Sequence, residues 1–323
     1  MKKISFIIPV KNGEKYIRRC LNSILIQKYD DYEIIVIDYA STDMTKDIVL
    51  NEYKYDRVKY YYLDRLGVSI ARNYGLKKAI GDYIIFVDVD DFIEGNTLDI
   101  ISKYIEQEYD IVKFNYYFVK EKKRPKILFE DDTIFDKENK KMLFEIMYLS
   151  FRFNQLWGQA IKRECLENVY FNENLKMAED YLFNYTLYKK CEKIICIKDI
   201  LYNYVYNLQG INYNTSKEKT LKKIEDIMFV DELIYNDSEN PLLYVRVIEE
   251  VFPHIINYFI YNNIEKVEYK DLLNVLRKNS FFYNAMNNYK KINIYRILIL
   301  SIKYNFFSFL IKIFKLKKFF KRR

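Results

Sequence analysis

The chain has 323 residues, half of them hydrophobic, with 33 Tyr and 23 Phe but only 7 Gly and 4 Pro. That is enough for one large core or for a domain with a smaller appendage, and it excludes a low-complexity or loop-dominated chain. The net charge of +8 belongs to residues 291–323, which carry ten Lys or Arg and no acid and leave 43 basic against 45 acidic residues elsewhere. A nucleic-acid partner, which would want basic residues spread over a folded face, is therefore not expected.

In chain order, the apolar run 4–10 reads as a buried strand and 14–27 as a helix. Residues 33–38 form a second strand, with a helix from about 45. A strand over 58–63 and a helix over 68–80 follow, then a strand over 83–88, a helix over 97–106 and a strand over 110–119. This alternation predicts an α/β, Rossmann-like, mostly parallel sheet with helices on both faces. Beyond residue 120 the pattern is mixed, with 137–148 helical, 156–161 extended, 180–190 helical and further strands within 193–206. After residue 216 the chain reads as helices to the end. The expected division is one domain over 1–215 and a helical C-terminal region over 216–323.

No secretory leader is expected, because the run 4–10 is short, contains Pro9 and leads straight into Lys11 and Asn12. No stretch approaches the roughly 20 apolar residues of a membrane span. Cys20, Cys165, Cys191 and Cys196 match no zinc-site spacing, so buried free thiols are expected.

In sheets of this kind ligands bind beyond the carboxyl ends of the strands, and polar clusters fall there. Pro9, Lys11 and Asn12 follow the first strand, and Asp38, Ser41, Thr42 and Asp43 follow the second. The fourth leads into Asp88-Val89-Asp90-Asp91. Three carboxylates crowded in four positions repel one another unless a cation joins them. Hard oxygen ligands suit Mg²⁺ or Mn²⁺, which complete their shells with phosphate oxygens and water. A solvated acidic turn capping the next helix is the alternative for the triplet alone. Gly67-Val68-Ser69-Ile70-Ala71-Arg72-Asn73-Tyr74-Gly75 opens the third helix, where small residues allow close approach and Arg72 offers a cationic fork.

Taken in order, these pieces resemble the family 2 glycosyltransferases with a GT-A fold. The resemblance continues through Asn154-Gln155-Leu156-Trp157, Phe171-Asn172-Glu173, Glu179-Asp180-Tyr181-Leu182-Phe183 and Leu201-Tyr202-Asn203-Tyr204. It covers roughly residues 3–212 and is specific as a set. It implies that Asp38 and its loop, with Ser41, hold the base or ribose of a nucleoside diphosphate sugar, with Pro9 and Asn12 lining the pocket. Arg72 would reach the nucleotide. Asp88 and Asp90 would carry Mn²⁺ or Mg²⁺ on the diphosphate, with Asp91 beside them. Asp180, in the Glu179-Asp180 pair, would be the general base, and Trp157 would lie near the sugar and acceptor. One base opposite the leaving group implies direct displacement with inversion.

Three positions depart from the family. Tyr39 stands where a second acid usually follows the residue matching Asp38, and Val205 where an arginine often follows the second tyrosine. The single histidine, His254, lies in the helical region and is expected to be structural. A processive synthase is not expected, since the Gln-x-x-Arg-Trp motif and the membrane spans of those relatives are missing. A nucleotidyltransferase would want a Gly-rich loop where Lys11-Asn12-Gly13 stands. A non-catalytic nucleotide-sugar-binding protein is the remaining rival.

The last residues interleave Phe306, Phe307, Phe309, Ile311 and Phe314 with Lys317, Lys318, Lys321, Arg322 and Arg323. That composition suits an anionic bilayer surface; a core-packing helix with a basic end is the alternative. The expected setting is cytoplasmic, peripheral to the inner face of the cell membrane, with a glycan or lipid-linked acceptor. A homo-oligomer is left open.

Overall fold

The computed structural model describes residues 1–150, 153–207, 216–261 and 268–303. The chain divides into two compact units: residues 1–147, 151–174 and 179–210, and residues 148–150, 175–178 and 211–323.

In chain order the first part of the protein runs β1 (Ile4–Val10), α1 (Ile17–Leu25), β2 (Tyr32–Tyr39), α2 (Thr45–Glu52), β3 (Val58–Leu63), α3 (Val68–Lys78), β4 (Tyr83–Phe86), β5 (Phe92–Ile93), α4 (Thr97–Ile105) and β6 (Ile111–Val119). It continues with β7 (Lys123–Lys126), β8 (Thr133–Phe135), α5 (Lys140–Leu149), β9 (Gln159–Lys162), α6 (Glu179–Lys190) and β10 (Ile194–Val205). The strands form one sheet of order β3-β2-β1-β4-β9-β6-β10-β5, with β7 on β6 and β8 on β10. β1 pairs parallel with β2 and β4, β2 with β3, and β6 with β10. β9 is antiparallel to both β4 and β6. Six strands therefore share one direction, and their carboxyl ends lie along one edge of the sheet.

The apolar strand runs follow from burial on both faces. Ile4, Phe6, Ile8 and Val10 of β1 join Ile34 and Val36 of β2 in a core that also takes Ile17, Leu21 and Ile24 of α1 and Leu98, Ile101 and Ile105 of α4. Ile7 and Ile37 alternate to the other face, where α3 lies so close that a Cβ on Gly75 would fall 2.5 Å from Ile7 Cγ2. Gly75 is thus a packing requirement of α3.

The short strands β5, β7 and β8 lie outside the sequence expectation. β7 is Lys-Arg-Pro-Lys, exposed along its whole length on β6, and carries no apolar alternation. β4 ends at Phe86, short of Asp88, because Asp91 N–H closes a turn on the Asp88 carbonyl at 2.9 Å.

The second unit is helical: α7 (Lys217–Ser238), α8 (Leu242–Tyr261), α9 (Glu268–Lys278), α10 (Ser280–Asn288) and α11 (Ile294–Lys303). Ser216 caps α7 by accepting from the Lys219 N–H. Ile224, Ile227, Ile234, Leu243, Val247 and Phe252 are among its buried side chains. Arg246 pairs with Asp231 at 2.9 Å and with Glu250 inside this unit. His254 is half-buried in α8, and burial lowers its pKa. No described helix is long and apolar enough to cross a membrane. Residues 304–323, with most of the basic tail, lie outside the described residues.

Candidate active site

The loops after β1 and β2 are laced together. Asn12, at a positive φ of 53°, donates its N–H to Ser41 Oγ (2.8 Å) and accepts from the Thr42 N–H through Oδ1 (2.8 Å). Pro9 is buried on the same side of β1 as Ile7. It lies past the last β1–β4 pair, Ile7 with Phe86, where no strand waits for its missing N–H. Ala40 turns the β2 loop at φ 66°. The left-handed region disfavours a residue with a Cβ, so the hydrogen bonds around the turn must hold it there.

Asp38 fixes this turn. It is 1% exposed, and its two oxygens accept from the Ser41 N–H (2.8 Å) and the Tyr60 hydroxyl (2.7 Å). The resemblance gives Asp38 to the base or ribose; here its two oxygens accept from within the protein, which fixes the carboxylate against the loop. The group next to it, Tyr39, lies in the field of Arg72, Asp88 and Asp90, and burial pushes its phenol up to about 12.

The acidic run divides in two. The Asp88 side chain is 34% exposed and its Oδ1 lies 3.5 Å from Arg72 Nη2. Asp90 is held from behind: Arg19 donates to its carbonyl at 2.6 Å and Asn207 hydrogen-bonds its carboxyl. Burial, then the charge of Asp88, raises the Asp90 carboxyl above its ordinary value. Asp91 goes the other way. It is 1% exposed, and its oxygens accept from the Tyr202 hydroxyl (2.8 Å) and the Val205 N–H (2.7 Å). Its carboxylate ties β10 to the acidic turn, beside Asp88 and Asp90.

Arg72 is the hub of the site. At 5% exposure, its Nη1 donates to Asp180 Oδ1 at 2.7 Å and to Glu179 Oε1 at 3.3 Å, while Nη2 faces Asp88. Its guanidinium lies over the Phe171 ring, 5.4 Å from the centroid. Arg72 thereby bridges the acidic turn and the start of α6. Phe171 stacks on Phe183 at 3.9 Å, and Asn73 holds the Phe171 backbone by accepting its N–H (2.8 Å) and donating to its carbonyl (2.9 Å). Burial pushes the Asp180 carboxyl up to about 8, with Arg72 opposing and Glu179 and Asp88 adding to the rise. Among the described residues, Asp180 Oδ2 has no protein donor.

Trp157 stacks on Tyr202 (4.8 Å, 7°) and Tyr204 (5.3 Å, 17°) and meets Tyr116 edge-on at 4.8 Å. Its loop is fixed by Asn184, buried at 0% exposure, whose amide reaches the carbonyls of Phe153, Asn154 and Gln155 at 2.9–3.1 Å. Tyr202, Asn207 and Arg19 have no assigned role in the sequence reading. Only Tyr202 carries a signal there, as part of the Leu201-Tyr202-Asn203-Tyr204 motif at a strand end.

Asp88, Asp90, Arg72, Glu179 and Asp180 are therefore brought to one place at the carboxyl edge of the sheet. Comparison with known proteins agrees: a family model described as Glycosyl transferase family 2 matches residues 5–169. The chain belongs to this family. The glycosyltransferase GlyA of Streptococcus pneumoniae serotype 4 is 34% identical over 214 residues, which are 62% of this chain but only 30% of GlyA. EpsJ of Bacillus subtilis strain 168 is 30% identical over 233 residues, 68% of this chain and 67% of EpsJ. The solved structure of S. aureus TarS 1-349 in complex with UDP aligns with a TM-score of 0.71 at 22% identity, over 99% of this chain and 92% of that one. The fold is GT-A, as family 2 membership implies.

Proposed function

We propose that this chain is an inverting glycosyltransferase. It moves one sugar from a nucleoside diphosphate sugar to a glycan or lipid-linked acceptor in surface-polysaccharide synthesis, using Mn²⁺ or Mg²⁺. The observation that carries this reading is the Arg72 bridge: one buried guanidinium holds Asp180 and Asp88 together at the carboxyl edge of the sheet. The UDP in the TarS structure supports a nucleoside diphosphate donor.

Asp88 and Asp90 fit a hard divalent cation. They offer two carboxylates in a site with more acid than Arg72 balances, and burial, then the charge of Asp88, raises the Asp90 carboxyl. A cation held by this pair would neutralise charge on the departing diphosphate. Asp180 would take the proton of the acceptor hydroxyl, since a sugar hydroxyl is a poor nucleophile. Arg72 would keep that carboxylate aimed, with Glu179 and Phe171 fixing the guanidinium. Pro9, Asn12 and Ser41 would shape the nucleoside pocket, and Trp157 would present an aromatic surface to the sugar and acceptor. The domain carrying this chemistry would span 1–215, with the helical region over 216–323.

A non-catalytic binding protein is the less favoured reading. The Val205 departure leaves the Asp91 contact intact, because the backbone N–H makes it. Calorimetry of the full chain with UDP- and GDP-sugars, with and without Mn²⁺, tests the proposal. Donor binding that strengthens at least about tenfold with Mn²⁺, or about 1.4 kcal/mol, is expected; equal affinity with and without the ion would count against the site.

The basic tail would hold the protein on the cytoplasmic face of the membrane. Each basic residue near an anionic surface contributes on the order of 1 kcal/mol, attenuated by salt. The full chain should co-sediment with anionic vesicles, and deletion of residues 304–323 should release it while sparing donor binding. A full chain that stays in the supernatant would remove the membrane assignment.

A further inference from the structure

Asp110, Cys165 and Cys191 bring one carboxylate oxygen and two sulfurs within 4.8 Å of one another. We propose that these three residues form a second cation site, selective for a borderline-soft divalent ion such as Zn²⁺ and separate from the Asp88/Asp90 pair.

The place is the opposite edge of the sheet from the candidate active site. Asp110 immediately precedes β6 and Cys191 comes shortly before β10, while Cys165 lies in the turn after β9, which runs antiparallel to β6. The amino ends of β6 and β10 and the carboxyl end of β9 therefore meet there. Backbone hydrogen bonds lock the three segments: Lys162 N–H to the Asp110 carbonyl at 2.8 Å, and Asp110 N–H to the Lys193 carbonyl at 2.9 Å. The Asp110 carboxylate is also oriented, with Oδ2 accepting from the N–H groups of Glu192 (2.6 Å) and Lys193 (3.0 Å). Ligating carboxylates are commonly fixed by such outer bonds.

The donor set matches the ion. Zinc takes thiolate, imidazole and carboxylate ligands at about 2.0–2.3 Å in a tetrahedron, which sets ligand atoms about 3.5–4 Å apart. The observed spacing is within reach of small side-chain rotations. A surface cleft of about 510 Å³ opens onto Asp110 and Cys165, and Glu164, Glu192, Lys190 and Lys193 also line it. A water can complete the shell. On binding, both thiols lose their protons to solvent and each sulfur donates a lone pair to the cation; nothing is oxidised or reduced.

Two thiols this close can also close into a disulfide. A divalent ion drives deprotonation by coordination. The four cysteines are not equivalent, then: Cys20 and Cys196 are simply buried thiols, as their spacing implies, whereas Cys165 and Cys191 form a pair with Asp110 that no spacing rule reveals.

Titration of the reduced full chain with Co²⁺ alone tests the site. A sulfur-to-cobalt charge-transfer band should saturate at one equivalent and be displaced by Zn²⁺, and the Asp88/Asp90 carboxylates cannot produce it. Cys165→Ser should abolish the band and any Zn²⁺-induced rise in melting temperature, while leaving sugar transfer unchanged. Asp110→Asn, which keeps an acceptor for the two N–H groups, should weaken Co²⁺ binding at least tenfold. The proposal is overturned by a reduced wild type with no sulfur-to-cobalt band, or by a band that survives Cys165→Ser. A Cys165–Cys191 disulfide forming in a chain that takes up no Co²⁺ when reduced also overturns it.

Discussion

Asp180→Asn is expected to lower turnover by about 10²-fold or more, a loss of at least about 2.7 kcal/mol of transition-state stabilisation, with donor affinity little changed. Asn keeps the shape and an oxygen for the 2.7 Å bond from Arg72 but cannot accept the acceptor's proton. Only Asp180 Oδ1 is taken by Arg72, so Oδ2 is the basic atom that remains. The carboxyl must be ionised to act. Burial pushes its pKa up to about 8, and a cation beside Asp88 would lower it by offsetting one of the charges that raise it. The wild-type rate should therefore fall as pH drops, along a limb between about 4, the ordinary Asp value, and 8. That limb should move down as Mn²⁺ is raised, and the residual rate of Asp180→Asn should not show it. Near-normal transfer by folded Asp180→Asn, or a wild-type rate that is flat from acid to neutral pH, would remove the base assignment.

Asp90→Ala is expected to abolish the Mn²⁺-dependent part of donor binding, weakening affinity by about tenfold to a hundredfold in the presence of the ion. The mechanism is the loss of one of two protein carboxylates at a site whose remaining ligands come from phosphate and water. Without Mn²⁺ the variant and the wild type should bind the donor alike. Folding should survive, because the Asp90 main chain keeps its bond from Arg19 and the neighbouring Asp91 retains its ties to Tyr202 and Val205. Undiminished Mn²⁺-dependent binding by Asp90→Ala would transfer the cation site elsewhere.

The parallel half of the sheet was legible because strands buried on both faces leave continuous apolar runs, as in β1 and β2. β5, of two residues, and β7, of four exposed polar ones, leave no such trace. In the site, the motifs place carboxylates at strand ends but do not say which way their oxygens face. Asp38 turns to Tyr60, 22 residues away, and Asp91 to Tyr202 and Val205, 111 and 114 residues away. Arg72 meets Asp180 across 108 residues. Partners at such separations are chosen by the sheet order, which no local pattern encodes. The same reason hides the Asp110 cluster, whose members come from three separate strand ends.

Release of nucleoside diphosphate from UDP- and GDP-sugars by the purified full chain with Mn²⁺ reports glycosyl transfer most directly. At least one donor should be turned over, to water slowly and to a glycan or lipid-linked acceptor faster, with the release lost on chelation and in Asp180→Asn. A folded chain that binds a donor with Mn²⁺ yet releases no nucleoside diphosphate with any acceptor would contradict the catalytic reading and leave a binding protein in its place.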